Sequence, residues 1–403
     1  MPYGVQHQER DAKMNQLSPI ANPLAGIKVI DVDTHWTEPG DLWTARAPAS
    51  LREFMPQRKM VNDELRWVMG DKTIYIMGAA SVVGKDGALC RDPSFMTWQV
   101  EDCHAACSDM GERLKWMDGE GVYAHIVYPN ILGFGGQRAL LIDADQRLAA
   151  TQIYNEALGD VQKDSGQRIF GMALLPWWDI DLAVKEVKRC VAMGLRGVNI
   201  NSAPQIHGLP DLAEAYWDPL WEVCVEHDLP INFHIGSSDD AMNWFGSAGW
   251  PSMADGNRAV VGGVALTMDT IRVLLNFMMS GVLDRFPTLK VVSVESGIGW
   301  IPFVLAQMEY GIAFNPGKKV GLSLTPKEYF QRNFSACFWF ENEDMEATIR
   351  KVGEDNVMFE TDFPHPTCLY PDGLSRVTEA VKDRGLLEKI CSTNAARIYN
   401  IPI

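Results

Sequence analysis

Eight short runs rich in β-branched and aromatic residues recur along the chain, most of them ending in polar residues: 26–33, 124–128, 170–175, 197–201, 230–234, 290–295, 334–338 and 357–362. Runs of this length predict strands. Between most of them lie segments with a helical period. Residues 181–193 carry apolar side chains at 182, 183, 184, 187, 191 and 193, and Gly194 stops the pattern. Residues 217–227 and 264–283 read the same way, and a shorter helix is expected over 111–117. Strands alternating with helices predict a parallel sheet. A doubly wound sheet would need a glycine-rich phosphate loop after an early strand, and the sequence has none. The expected fold is therefore a (β/α)₈ TIM barrel with long βα-loop insertions. The polar residues gather at the C-terminal ends of its strands, which is the catalytic face of such a barrel.

The remaining segments are placed around that frame. Residues 1–26 are expected to form a polar arm and 27–403 a single barrel domain. The segment 38–99 is too long for a simple connection; it is expected to be an insertion with a hairpin around Gly70-Asp71-Lys72, serving as a lid or dimer contact. Residues 236–262, rich in Gly, Ser and Asp, read as a second long loop.

Composition changes the picture at four points. The chain has 403 residues, 47% of them hydrophobic, enough for one large core. A net charge of −16 argues against nucleic acid and anionic membrane surfaces as partners, since both need a basic face. No signal-peptide pattern and no run of eighteen apolar residues occurs, so a cytoplasmic protein without a membrane span is expected. The eight cysteines form no C-x-x-C pair and are read as buried thiols.

The candidate chemistry lies at the strand ends. Asp33 and His35 close the first run at i and i+2, so both face one side. His234 ends the fifth run, Glu295 the sixth and Asp362 the eighth. A carboxylate there has no packing reason to exist, because burying an unpaired charge is unfavourable and metal ligation neutralises it. Taken singly, each could be a helix N-cap or a satisfied polar residue; four strands contributing together point to a metal site. His365, after the Asp362 turn, is placed to orient a ligand or the substrate. His125 is read as core or as a support behind the ligands, and His227 as structural. His104, in a loop before the helix at 111, has nothing on its own to distinguish it.

These residues resemble the amidohydrolase superfamily, in the branch that contains aromatic-acid decarboxylases. The resemblance spans roughly residues 27–400: Asp33-x-His35 is similar to the first-strand metal motif, His234 to the fifth-strand ligand, and Asp362 in Thr-Asp-Phe-Pro-His to the eighth-strand aspartate. Two departures stand out. No Lys or Glu bridge ends the fourth run, and Glu295 stands where a sixth-strand histidine is usual. That oxygen-rich donor set favours iron or manganese over zinc. Further segments around His104, Tyr128-Pro-Asn130, Glu295 and Asp362 resemble the non-haem di-iron monooxygenases built on the same fold. That resemblance implies six ligands (Asp33, His35, His104, His234, Glu295 and Asp362) holding two Fe(II), with Asp362, Glu295 and His365 in catalysis, O₂ as co-substrate and a small cyclic or aromatic acid as substrate. A dry pocket is expected from Trp36, Trp177, Trp178, Phe233, Trp300 and Trp339, which would otherwise be packing core. The alternative is a non-oxidative decarboxylase or hydrolase in which Asp33, His35, His234 and Asp362 hold one Mn or Zn. A homodimer is expected by analogy with the family. A barrel without catalysis would leave the six metal-competent side chains unexplained.

Overall fold

The computed structural model describes residues 22–75, 78–243, 250–314 and 321–403. Most of the expected N-terminal arm, residues 1–21, lies outside them. All eight expected strands are present: β1 (Ile30–His35), β2 (Ala124–Tyr128), β3 (Ile169–Gly171, resuming as Ala173–Leu174), β4 (Val198–Asn199), β5 (Ile231–His234), β6 (Val291–Val294), β7 (Phe334–Phe338) and β8 (Val357–Phe359). β1, β2 and β3 pair in parallel, and the second half of β3 continues in parallel through β4 to β8.

The seam between the last strand and the first is made just beyond β8. His35 N–H donates to Phe363 O at 2.7 Å and Asp362 N–H donates to Asp33 O at 2.9 Å. The Asp31 carboxylate, buried below, accepts from the Thr361 amide at 2.9 Å and from its hydroxyl at 2.5 Å. The chain is thus a TIM barrel whose closing hydrogen bonds run between residues that flank its polar mouth.

Alternate residues of the strands, Ile30, Val32, Ile126, Tyr128, Phe170, Met172, Val292, Val294, Cys337 and Met358, meet in one core cluster with Tyr399. A larger cluster lies between strands and helices and takes up α1 (Ile180–Ala192), whose Ala183, Val187 and Cys190 are buried. This is the helix expected over 181–193. Nature's period-2 and period-3.6 patterns are legible here because each element buries only one face.

The expected hairpin also forms. Glu64–Met69 and Lys72–Tyr75 are antiparallel around Gly70, with Gln57–Val61 on the other side, in a three-stranded sheet within the insertion. The expected helix over 264–283 is displaced. It runs as α2 (Asp255–Met279), and a separate turn, Val282–Arg285, follows Gly281 at φ 78°. The first turns of α2 carry exposed Val260 and Val264, so no buried stripe announced them. By length and composition α2 could cross a membrane. Its later half instead packs on the barrel: Phe277 lies 5.4 Å from Phe233, and Asp269 accepts from Ser202 at 2.9 Å.

After β2 the chain crosses the mouth through residues 130–137. Gly135 sits so close to the loop after β5 that a Cβ there would stand 2.1 Å from Ser237 O. Gln137 ties the same loop down, accepting from Gly135 N–H at 3.0 Å and donating to Gly236 O at 2.9 Å. Two glycine replacements should therefore move stability in opposite directions in urea unfolding. Gly119→Ala, on an exposed turn of the helix Met110–Glu120 with open space around it, should stabilise by up to ~1 kcal/mol through helix propensity. Gly135→Ala should destabilise by ~1–3 kcal/mol, because backbone rather than a flexible side chain blocks the methyl.

Candidate metal centre

Five of the expected ligands converge. Asp33 and His35 rise from β1, His234 ends β5, Glu295 follows β6 and Asp362 follows β8; each is at least nine-tenths buried. His35 Nε2 lies 3.1 Å from His234 Nε2, 3.6 Å from Asp33 Oδ1 and 3.5 Å from Asp362 Oδ1. His234 Nε2 lies 3.6 Å from Asp33 Oδ2 and 3.4 Å from Glu295 Oε2. Donors bound to one ion at about 2.1 Å stand roughly 3.0–3.6 Å apart, so the spacings among Asp33, His35, His234 and Glu295 fit a single divalent cation, and Asp362 falls with His35, Glu295 and His365 in a second, overlapping group of potential donors.

Two further observations support that fit. Both Asp33 carboxylate oxygens and Asp362 Oδ1 are buried without a hydrogen-bond partner. His234 Nδ1 meets Ile235 O at 2.9 Å, so Nδ1 carries the proton and Nε2 is left bare toward the cluster. A backbone carbonyl behind the ring is the usual support for a metal-binding histidine.

The backbone is strained at two of these residues. Glu295 has φ 52° and Asp362 φ 59°, in the left-handed region that side chains other than glycine's rarely adopt. Such strain concentrates at functional sites, where the surroundings over-determine the conformation. Here it turns each carboxylate off the end of its strand and into the mouth. Thr367 donates its hydroxyl to Asp362 Oδ2, leaving Oδ1 free to face the histidines.

His365 joins the cluster in a different role. Its ring stacks on His35 with centroids 3.5 Å apart and planes within 16°. An ion lying in the plane of the His35 ring is then about one ring spacing from the plane of His365, so the two rings cannot share it. His365 Nδ1 instead lies 3.3 Å from Asp362 Oδ1.

The structure does not bring His104 into either group of potential donors among the described residues. Its Nδ1 accepts from Ala106 N–H at 3.2 Å, its ring lies 4.7 Å from Trp116, and it starts a short helical turn. The aromatic residues expected to line a pocket mostly pack. Trp36 and Trp177 donate to Ser108 O and Gly135 O, Trp300 donates to Ser296 O, and Phe233 meets Phe277 edge-on. Two other rings lie against the site: Phe134, 4.3 Å from His234 and 5.3 Å from His35, and Tyr128, 5.1 Å from His234. Phe134 lies in Gly-Phe-Gly-Gly, with no periodicity to mark it. Glu360 also went unrecognised: it is fully buried, and its Oε2 accepts from Glu295 N–H at 3.3 Å. Its place two residues before Asp362 at one strand end is the signal that could have found it.

Electrostatics follow from this crowding. Burial, reinforced by Asp31, pushes the Asp33 carboxyl well above its ordinary range. Burial and Asp362 do the same to Glu295, and burial and Asp33 to Asp362 and Glu360. Burial also holds His35 and His365 well below the usual imidazole value, with neighbouring histidines adding to it. Without a cation the site therefore favours neutral groups, and a cation reverses the preference of the carboxylates.

Residues 30–401 match the model of the family described as Amidohydrolase. The chain is similar to a gamma-resorcylate decarboxylase from Polaromonas sp., 26% identical over 273 residues, covering 62% of this chain and 76% of the relative. It is also similar to a 2-amino-3-carboxymuconate-6-semialdehyde decarboxylase from Dictyostelium discoideum, 22% identical over 268 residues, or 64% and 68% of the two chains. In fold it resembles an amidohydrolase from Mycobacterium avium subsp. paratuberculosis, with a TM-score of 0.74, 23% identity and 93% and 99% of the chains covered. A 5-carboxyvanillate decarboxylase from Novosphingobium aromaticivorans, solved with manganese, superposes with a TM-score of 0.66 at 21% identity over 93% and 96%. These findings overturn the expectation of a di-iron monooxygenase. Most of the curated relatives are decarboxylases and one is a 2-keto-4-carboxy-3-hexenedioate hydratase; nothing among them supports an oxidoreductase or O₂ as co-substrate, and the donors gathered here, without His104, do not support two irons. A divalent-metal site and the decarboxylase side of the resemblance stand.

Titrating metal-stripped protein with Mn²⁺ should give one ion bound per chain. Because carboxylates held protonated by burial must ionise to ligate, binding should release protons, seen by calorimetry in buffers of different ionisation enthalpy. Affinity should rise with pH by about tenfold per unit for each proton displaced. Two equivalents bound, or a pH-independent affinity, would contradict the site described.

Proposed function

We propose that this chain, which belongs to the amidohydrolase family, is a metal-dependent, non-oxidative decarboxylase of a small aromatic carboxylic acid. The observation that carries the proposal is the juxtaposition of a one-ion donor cluster with the His365–Asp362 pair, both buried at the barrel mouth.

Asp33, His35, His234 and Asp362 would hold the ion, with Glu295 as a further donor. Manganese suits this mixture of imidazole and oxygen ligands. When bound, the ion supplies the positive charge that holds the substrate's carboxylate or neighbouring hydroxyl oxygens. The remaining work belongs to the chain. Phe134 offers an aromatic face beside the cluster, and the pinned loop 130–137 keeps that face in place. The crowded, buried mouth keeps bulk water from the reacting carbon.

The reaction replaces one substituent by a proton. The bond between the ring and the carboxylate breaks, CO₂ leaves, and the electron pair stays on the ring carbon until a proton arrives there. No oxidant enters. Asp362 and His365, 3.3 Å apart, are the groups placed to hold that proton and hand it on, and solvent replenishes it.

Incubating the manganese-loaded enzyme in D₂O with 2,6-dihydroxybenzoate and related hydroxybenzoates should release CO₂. The product should carry one deuterium at the carbon that lost the carboxylate, with no oxygen uptake. His365→Gln should lower kcat by about 10²–10⁴-fold, the usual worth of a positioned acid or base, while keeping its metal. Oxygen consumption coupled to turnover, or hydroxylated products, would sink the proposal.

A further inference from the structure

We propose that Asn130, held by Glu38 and the Trp36 carbonyl, is a positioning residue that fixes His365 as the Nε2–H tautomer and so directs its bare Nδ1 at Asp362. The inference rests on the proton-carrying role proposed above for His365, although the tautomer itself can be read without turnover.

The argument begins with what Asn130 can and cannot do. It follows β2 in Tyr128-Pro129-Asn130 and is buried, as is Glu38. Its side-chain amide has two ends, and their surroundings differ. One end faces Trp36 O at 2.7 Å and Glu38 Oε2 at 3.4 Å. The nearer of the two, a backbone carbonyl, only accepts, so the NH₂ group belongs there. Turning the amide over would lose both bonds and set oxygen against oxygen in a buried space, where unpaired polar atoms are most unfavourable.

Glu38 itself is fixed. Its Oε1 accepts from the backbone N–H groups of Asn130 at 2.8 Å and Ile131 at 3.1 Å. Arg138 anchors the same turn by donating to Asn130 O at 2.7 Å. The amide therefore presents its oxygen, Oδ1, to His365 Nε2 at 2.7 Å. An amide oxygen only accepts, so Nε2 must donate. A neutral His365 then keeps its lone pair on Nδ1, the atom 3.3 Å from Asp362 Oδ1. The opposite tautomer would leave Nε2 and Oδ1 as two acceptors only 2.7 Å apart, whereas the longer approach of Nδ1 to Asp362 Oδ1 at 3.3 Å makes no hydrogen bond, so a proton on Nδ1 would gain nothing there.

The chain of contacts Glu38–Asn130–His365–Asp362 joins the end of β1, the end of β2 and the turn after β8. None of its distances requires the ion. Asn130 and Glu38 are kept apart from the reacting atoms by His365, so both act through it.

The experiment uses full-length, metal-stripped protein labelled with ¹⁵N-histidine. Long-range proton–nitrogen correlation spectra distinguish the two tautomers, and the His365 resonances are those lost in His365→Gln. Wild-type protein should show a protonated Nε2 and a bare Nδ1. A proton on Nδ1, or on both nitrogens, would overturn the proposal regardless of whether any decarboxylation is found. In Asn130→Ala the His365 signals should become those of mixed tautomers. In the manganese-loaded variant kcat should fall by ~10–100-fold, typical for a group supporting a functional histidine, with KM and manganese affinity each within about threefold of wild type. Glu38→Gln, which keeps an acceptor for the backbone amides, should show a smaller shift in the same direction and serves if Asn130→Ala does not fold. Both variants retaining the wild-type tautomer and kcat would also overturn it. A fixed Nε2–H tautomer in a protein that decarboxylates nothing would leave the positioning intact and reject the activity.

Discussion

Buried carboxylates crowded against one another dominate this barrel. Asp33, Glu295, Glu360 and Asp362 stand together at the mouth, each pushed toward its neutral form by burial and by a neighbouring carboxylate. A purely structural core would not keep them, since replacing such groups by apolar ones is commonly neutral or stabilising. The unpartnered oxygens of Asp33 and Asp362, the histidine nitrogens turned inward and the left-handed backbone at Glu295 and Asp362 all become intelligible once a cation is admitted. The fold around them is organised to hold that arrangement. The helices and the interior layers of Val, Ile and Met keep the strands rigid, and the mouth loops are tied down by Gln137, Thr367 and Glu38.

The strands and the core of the metal site were legible because they follow local rules. Runs such as Val291–Val294 are apolar but for Ser293 because both faces are buried, and a charged residue at the end of such a run has no local explanation. Asp33 and His35 share a face through the two-residue period of a strand. Residues that act across strands left no such trace. Asn130 matters because of what Trp36 and Glu38 present to it, and Phe134 because a loop carries it over the histidines; neither has a pattern in its own segment. Only the structure reveals that His365 stacks on His35 and so cannot share its ion.

The same contrast explains the failed expectation of two irons. It rested on counting donors along the chain, and His104 entered the count through a resemblance of short segments. In space, His104 supports its own backbone turn and rests on Trp116. Glu295 in place of a histidine changes the charge of the cluster without adding a second centre. Donor identity was readable from sequence, whereas the number of ions depends on distances that side-chain lists do not contain.

The barrel seam has a consequence for the order in which the protein is made. Asp33 and Asp362 are separated by most of the chain, yet the bond from Asp362 N–H to Asp33 O is part of the closure itself. During synthesis the proposed first-strand ligands leave the ribosome long before the last strand exists. A nascent chain can offer Asp33 and His35, a pair with little selectivity, but it cannot assemble the full donor set until the eighth strand docks. Selection among competing cellular metals is thereby postponed to the finished barrel, where the spacing of rigid elements rather than the intrinsic affinity of a flexible peptide determines which ion is retained.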